Sequence, residues 1–186
     1  MGIAGEICNR ARILSEQRKT GERMILAGDV GGTKTNLGVF EERDGKLVCV
    51  KEDSLPSQKY ATLEALVADF LKEAKVKVDA ACFGIAGPIV DNRVRTTNIP
   101  WIVEGDVLAR ELGVAHVRLL NDLEATCYSV LVLEPSEFDC IHEGTDGRQA
   151  TKVVIAAGTG LGEGVLFWDG GRYHPSATEG GHSDWA

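Results

Sequence analysis

The stretch 28-GDVGGTKT-35 follows a short apolar run, 24-MILA-27, and leads into a second one, 35-TNLGVF-40. It falls one residue short of a P-loop. That motif, GxxxxGK[ST], needs a glycine before its lysine, and here Thr33 precedes Lys34-Thr35. A P-loop also runs from strand into helix, so that the helix N-terminus meets the phosphates. This segment runs from strand into strand, so Lys34 is not read as a phosphate-clamping lysine. A hairpin can still hold an anion. Adjacent glycines, Gly31 and Gly32, let the backbone approach closely and aim successive N–H groups at a phosphate. Asp29 ahead of them suits Mg²⁺, directly or through water, because Mg²⁺ prefers a carboxylate plus retained waters. A plain hairpin with its glycines at positive φ is the alternative, and the stretch alone does not separate the two.

Working outward, residues 24–30 and 35–40 read as strands. Asp44-Gly45 supplies a turn pair, and 46-KLVCVKE-52 is a third strand of an antiparallel meander. Over 61–75 the apolar residues Leu63, Leu66, Val67, Phe70, Leu71 and Ala74 recur at helical spacing. A strand at 79–87 ends in Gly-Pro, 93–98 is extended, and a second helix over about 103–112 stops at Gly113. Then come a strand at 116–121, a helix at 122–133, a polar loop at 134–150, and a strand at 152–158. A second glycine turn, 158-GTGLGEG-164, leads into a strand at 165–170. The order βββαβ…αβα followed by β–turn–β is that of a mixed α/β fold. Both glycine turns join two strands and both contain Gly-Thr, an internal repeat of one device. The second is not a GxGxxG dinucleotide fingerprint in any register.

The bulk properties exclude several classes. The chain has 186 residues and a net charge of −8, which argues against binding nucleic acid through a broad basic face. Hydrophobic residues make up 44% and charged residues 26%, a normal globular balance. No apolar run approaches the roughly 18 residues that a membrane span needs. The five cysteines (Cys8, Cys49, Cys82, Cys127, Cys140) show no CxxC spacing and read as reduced, mostly buried thiols of a cytoplasmic protein. No zinc-ligand pattern is present.

Two further clusters carry chemistry. Asn121-Asp122 closes a strand and opens a helix. Asp is a favoured N-cap, which alone accounts for it. A carboxylate at the carboxyl end of a strand is also where α/β sheets place ligands, and it can accept a proton from a substrate hydroxyl. Glu179, His182 and Asp184 lie together in a glycine-rich segment suited to hydrogen bonding several hydroxyls; a polar surface loop is the alternative reading.

Taken in order, DVGGTKTNLGVF, FGIAGPI, TNIPW, LLNDLEA, AAGTGLGEG and EGGHSDWA resemble the bacterial glucokinases, of the sugar kinase, Hsp70 and actin superfamily. The match runs from Met24 to Ala186. The resemblance implies an actin-like ATPase (ribonuclease H-like) fold, with a near-complete first lobe and the start of a second. It implies ATP-dependent phosphorylation of D-glucose at the 6-hydroxyl, with ATP and Mg²⁺ as cofactors and glucose as the partner. Asp122 matches the catalytic base. Asn121, Glu179 and His182 match glucose ligands, and Asn98 lies in the segment lining the sugar cleft. Asp29, Gly31, Gly32 and Thr33 match the first phosphate loop, with Asp29 near the magnesium. Gly158, Thr159 and Gly160 match the second. A homodimer is compatible with the resemblance, and the sequence does not show the oligomeric state.

The implied organisation is an N-terminal extension over 1–23, poorly ordered or preceding a true start at Met24. A short amphipathic helix with Ile7, Ala11 and Leu14 on one face is the alternative there. A small α/β lobe follows over 24–121, and the start of a large lobe over 122–186. Nothing after 165–170 reads as cover for the apolar face of the second strand pair, so the chain is expected to continue beyond Ala186. Residues 1–186 alone are expected to show little or no kinase activity, which a coupled assay of ADP release checks. A non-catalytic sugar sensor of the same fold, or a kinase for another hexose, is the alternative function. An actin-like structural ATPase fits less well, because EGGHSDWA suits a sugar.

Overall fold

The computed structural model describes residues 23–44, 46–144, 149–158, 160–178 and 180–182, His182 in its backbone only. The expectations for residues 1–22, including the amphipathic alternative, lie outside these. By its internal contacts the chain divides into two compact units, with the boundary between Asp122 and Leu123.

The first unit is built on the meander. Strand β1 (Arg23–Val30) pairs antiparallel with β2 (Lys34–Arg43), and β2 with β3 (Lys46–Pro56). Asp44, at φ 49°, takes the left-handed conformation that a two-residue hairpin turn requires. On the other side of β1, strands β4 (Ala80–Ile85) and β7 (Val117–Asn121) add in parallel, giving the order β3-β2-β1-β4-β7. The parallel strands need crossovers, and the chain supplies them. Helix α1 (Leu63–Ala74) links β3 to β4. Thr62 caps it by accepting from Ala65 N–H at 3.2 Å. Its stripe Leu63, Leu66, Val67 and Phe70 is buried as the periodicity predicts. Helix α2 (Gly105–Leu112) precedes β7 and ends at Gly113, φ 67°, whose N–H reaches back to Ala109 and Arg110 carbonyls. One face of the sheet, with Leu26, Leu37, Phe83 and Leu119, forms the main core with these helices.

Two expectations for this unit change. Residues 103 and 104 are not helical: β5 (Arg93–Arg95) pairs antiparallel with β6 (Ile102–Glu104), and the helix starts only at Gly105. The extended reading of 93–98 therefore holds for three residues. Beyond them Thr96 folds the chain back, donating its hydroxyl to the carbonyls of Ile99 at 2.5 Å and Trp101 at 3.2 Å.

Helix α3 (Asp122–Val130) opens at the boundary, and from Leu123 onward it belongs to the second unit. It stops three residues earlier than expected, in a turn where Leu131 and Val132 N–H bond to the carbonyls of Tyr128 and Ser129. Strands β8 (Lys152–Ala157), β9 (Leu161–Trp168) and β10 (Tyr173–Thr178) form an antiparallel sheet in the order β10-β9-β8. The third strand is a correction: 173–178 carries Pro175 and little apolar alternation, and its pairing with β9 is not legible locally. The second glycine turn is also shorter than expected. Strand β9 begins at Leu161, so Gly162 and Gly164 are strand residues facing α3. A Cβ on Gly162 would sit 2.9 Å from a Leu123 methyl, and one on Gly164 would collide with the Cys127 thiol. Those two glycines serve helix packing.

Among the described cysteines, Cys82 and Cys127 are buried and Cys49 and Cys140 exposed, all as free thiols. That corrects the expectation of mostly buried thiols. No helix of the described residues is long and apolar enough to cross a membrane.

Candidate functional site

The carboxyl ends of β1, β4 and β7 lie side by side, and the candidate residues of the first unit gather there. Asp29 pairs in register with Gly84 on β4 and, across the hairpin, with Asn36. The Asn36 amide donates to Asp29 Oδ2 at 3.2 Å. Burial pushes the Asp29 carboxyl above its usual range, and the Asp122 charge raises it further; the Asn36 bond and the Lys34 charge pull it down. Asn121 ends β7 and donates its amide to the Gly87 carbonyl at 3.1 Å, holding the Gly-Pro turn at φ 124°. Asp122 is the first helical residue and not the one before it, and its carboxylate still sits where a helix start favours negative charge.

The first glycine turn is a closed loop. Gly31 N–H donates to the Lys34 carbonyl at 3.1 Å. Neither Gly31 nor Gly32 has a left-handed φ, so the plain-hairpin alternative with glycines at positive φ does not hold. Close approach is what requires glycine. A Cβ on Gly31 would lie 2.7 Å from the Lys34 carbonyl oxygen, and one on Gly32 would collide with Asn98 Cβ. The fold therefore brings Asn98, exposed in the TNIPW turn, onto the glycine loop from 66 positions along the chain.

In the second unit, among the described residues, nothing lies within 4 Å of a Cβ built on Gly160, and one on Gly158 meets the Gly160 carbonyl at 3.9 Å. Gly158 N–H closes the turn onto that same carbonyl at 3.0 Å. Unlike Gly162 and Gly164, these two meet no close packing among the described residues and have no left-handed backbone. Gly180–His182 forms a single 3-10 turn seated on the start of β9: a Cβ on Gly180 would strike the Glu163 carboxylate, and one on Gly181 the Leu161 carbonyl. The second glycine turn and the Gly180–His182 turn therefore meet the same end of one strand. Thr159, Glu179 and Asp184 lie outside the described residues.

Sequence reading missed Asn36, although it was within reach. A turn closed between residues 31 and 34 sets Val30 opposite Thr35 and therefore Asp29 opposite Asn36. It also missed Asn92, whose amide bonds to the Val117 carbonyl at 2.8 Å and accepts from Leu119 N–H at 2.9 Å. Nothing local signals that contact, because β7 is 25 residues away.

An antiparallel meander extended by parallel strands, with acids at their carboxyl ends, defines a chain of the actin-like ATPase fold. Comparison with known proteins narrows this. The glucokinase family model matches residues 26–186. The chain is 38% identical to a glucokinase of Nostoc punctiforme over 88% of its own length and 48% of that protein's. It is 36% identical to one of Tolumonas auensis over 87% of its length and 50% of the relative's. Among solved structures, a glucokinase from an Antarctic psychrotroph superposes with a TM-score of 0.78 at 24% identity, covering 88% of this chain and 52% of that one. The glucokinase of Balamuthia mandrillaris in complex with glucose gives 0.64 at 20% identity, covering 94% and 52%. The chain belongs to the glucokinase family, and it spans about half the length of the curated relatives it matches.

Proposed function

We propose that the protein transfers the γ-phosphoryl group of ATP to the 6-hydroxyl of D-glucose, giving glucose 6-phosphate and ADP. The observation that carries this is the register of β1, β4 and β7, which sets Val30, Ile85 and Asn121 side by side, so that Asp29, the glycine loop and Asp122 all lie at the carboxyl ends of neighbouring strands. Asp122 takes the 6-hydroxyl proton as the oxygen bonds to the γ-phosphorus and the bond to the β-phosphate oxygen breaks. Asn121, Asn98, Glu179 and His182 bind the sugar hydroxyls. The backbone of Gly31, Gly32 and Thr33 takes one part of the triphosphate, and Gly158, Thr159 and Gly160 another. Asp29 would help hold a Mg²⁺ ion, which when bound would supply charge neutralisation for the phosphates. Its fit rests on the site itself: a half-buried acid whose charge is disfavoured by burial and by a second acid gains from a divalent cation. Residues 24–121 serve as the small lobe and 122–186 as the opening of the large one. A cytoplasmic setting goes with this reading, supported by the free thiols at Cys49 and Cys140.

Asp122→Asn in the intact protein tests the assignment. The substitution keeps the shape of the side chain and removes its basicity. The expected result is a kcat lower by about 10²–10⁴-fold with glucose binding retained, as titration calorimetry reads it. A wild type that binds glucose and phosphorylates none of it favours the sensor reading instead, and faster turnover of another hexose moves the specificity.

A further inference from the structure

Ser57 follows the end of β3 and opens a 3-10 turn, Ser57–Lys59. It is fully buried, as is Thr35. Besides the bond its carbonyl accepts from Tyr60 N–H within its own turn, Ser57 makes three hydrogen bonds to the β1–β2 hairpin. Its hydroxyl donates to the Gly31 carbonyl at 2.7 Å, and its N–H to the Thr33 carbonyl at 3.1 Å. Its oxygen also lies 2.9 Å from Thr35 Oγ1. A serine hydroxyl carries one proton. That proton goes to Gly31, so Thr35 donates in the third bond, and the two hydroxyls form a directed pair, Thr35 to Ser57 to Gly31.

The consequence lies in the peptide plane. The carbonyl of Gly31 and the N–H of Gly32 belong to one rigid unit and point in opposite directions. The same holds for the Thr33 carbonyl and the Lys34 N–H. Tying both carbonyls to Ser57 turns the N–H groups of Gly32 and Lys34 away from it. No acceptor among the described residues takes the N–H of Gly32 or Thr33, whereas Gly31 N–H is used within the turn. A peptide between two glycines flips at low steric cost, and a flip would aim a carbonyl dipole where an anion needs a donor.

We infer that Ser57 is a positioning residue for phosphate binding: its side chain locks the Gly31–Gly32 peptide with the N–H outward. This rests on the kinase reading above. In the intact protein, Ser57→Ala raises the KM for ATP about tenfold, the worth of one charge-assisted hydrogen bond, and leaves the KM for glucose within about twofold. Phe70→Leu, a core change on α1 that lowers stability without touching the loop, moves neither. Ser57→Cys fills the same space with a weak donor and gives an intermediate KM for ATP; it carries the test if Ser57→Ala does not fold. If the wild type is active and both Ser57 variants keep its KM for ATP, the inference falls and the kinase reading stands. Equal rises in both KM values also overturn it, since they mark a merely structural residue. A wild type that neither binds nor turns over ATP brings down both.

Discussion

Asp29 shows how a single residue is set against the stability of its own fold. Its raised pKa means that the native state binds the proton more tightly than the unfolded chain does. Below the unfolded value of 3.8 the group is neutral in both states and costs nothing. As pH rises through the raised native value, the carboxylate must be held ionised in a half-buried place, and stability falls. Asp29→Asn keeps the Asn36 contact without the charge. Thermal unfolding is therefore expected to show a higher Tm for Asp29→Asn at pH 7, with the gap closing on acidification to pH 4, while ATP-dependent activity is lost. A Tm below wild type at neutral pH contradicts the burial argument. On the proposed function, this would be the stability–activity trade-off of an active-site acid.

At the scale of elements, β7 is the strand whose position decides the site, because it delivers Asn121 and Asp122. It is the outer strand of its sheet on that side, so its free edge needs a partner. The Asn92 side chain provides one, pairing with Val117 and Leu119 as a strand would. It is presented from a tight turn, with Asp91 at φ 50° and Asn92 at φ 57°. Gly105 packs against it so closely that a Cβ would overlap its amide. Asn92→Ala is expected to cost about 1–3 kcal/mol by urea unfolding, since it strands a backbone N–H and a carbonyl. Gly105→Ala should cost a similar amount by displacing the same amide. Combined, the two should cost clearly less than their sum, because the alanine at 105 no longer meets the asparagine; full additivity contradicts the contact.

Over the whole molecule, burial is uneven. The first unit holds nearly all the buried apolar side chains, while the second contributes Ala125, Cys127 and Leu166 among the described residues. One face of the β8–β10 sheet packs on α3; the other exposes Val153, Ile155, Leu161 and Phe167, with Ile155 65% and Phe167 55% exposed. An apolar face of this kind favours self-association. Hydrogen exchange on residues 1–186 is expected to protect β1, β4 and β7 most, by at least about a hundredfold over β8–β10, because exchange tracks local burial. Ile155→Thr with Phe167→Ser should lower hydrophobic-dye binding without unfolding the first unit. Uniform protection across both sheets runs against this picture.

The sequence by itself determined the meander, the stripe of α1, the Gly113 stop, and the pairing of glycine turns with an acid at a strand end. These depend on periodicity and on residues within a few positions of each other, which one chain displays directly. The six motifs in order also reached the family. Tertiary structure alone decided what each glycine is for. Gly31 and Gly32 yield to a neighbouring carbonyl and to Asn98, Gly162 and Gly164 yield to a helix, and Gly158 and Gly160 meet no close neighbour among the described residues. It alone converted 103–104 from helix to strand, added β10, and set Ser57 beneath the loop 26 residues before it. The reason is that close approach and strand pairing are properties of two segments at once. A glycine or a serine carries no local mark of the partner that the fold brings against it.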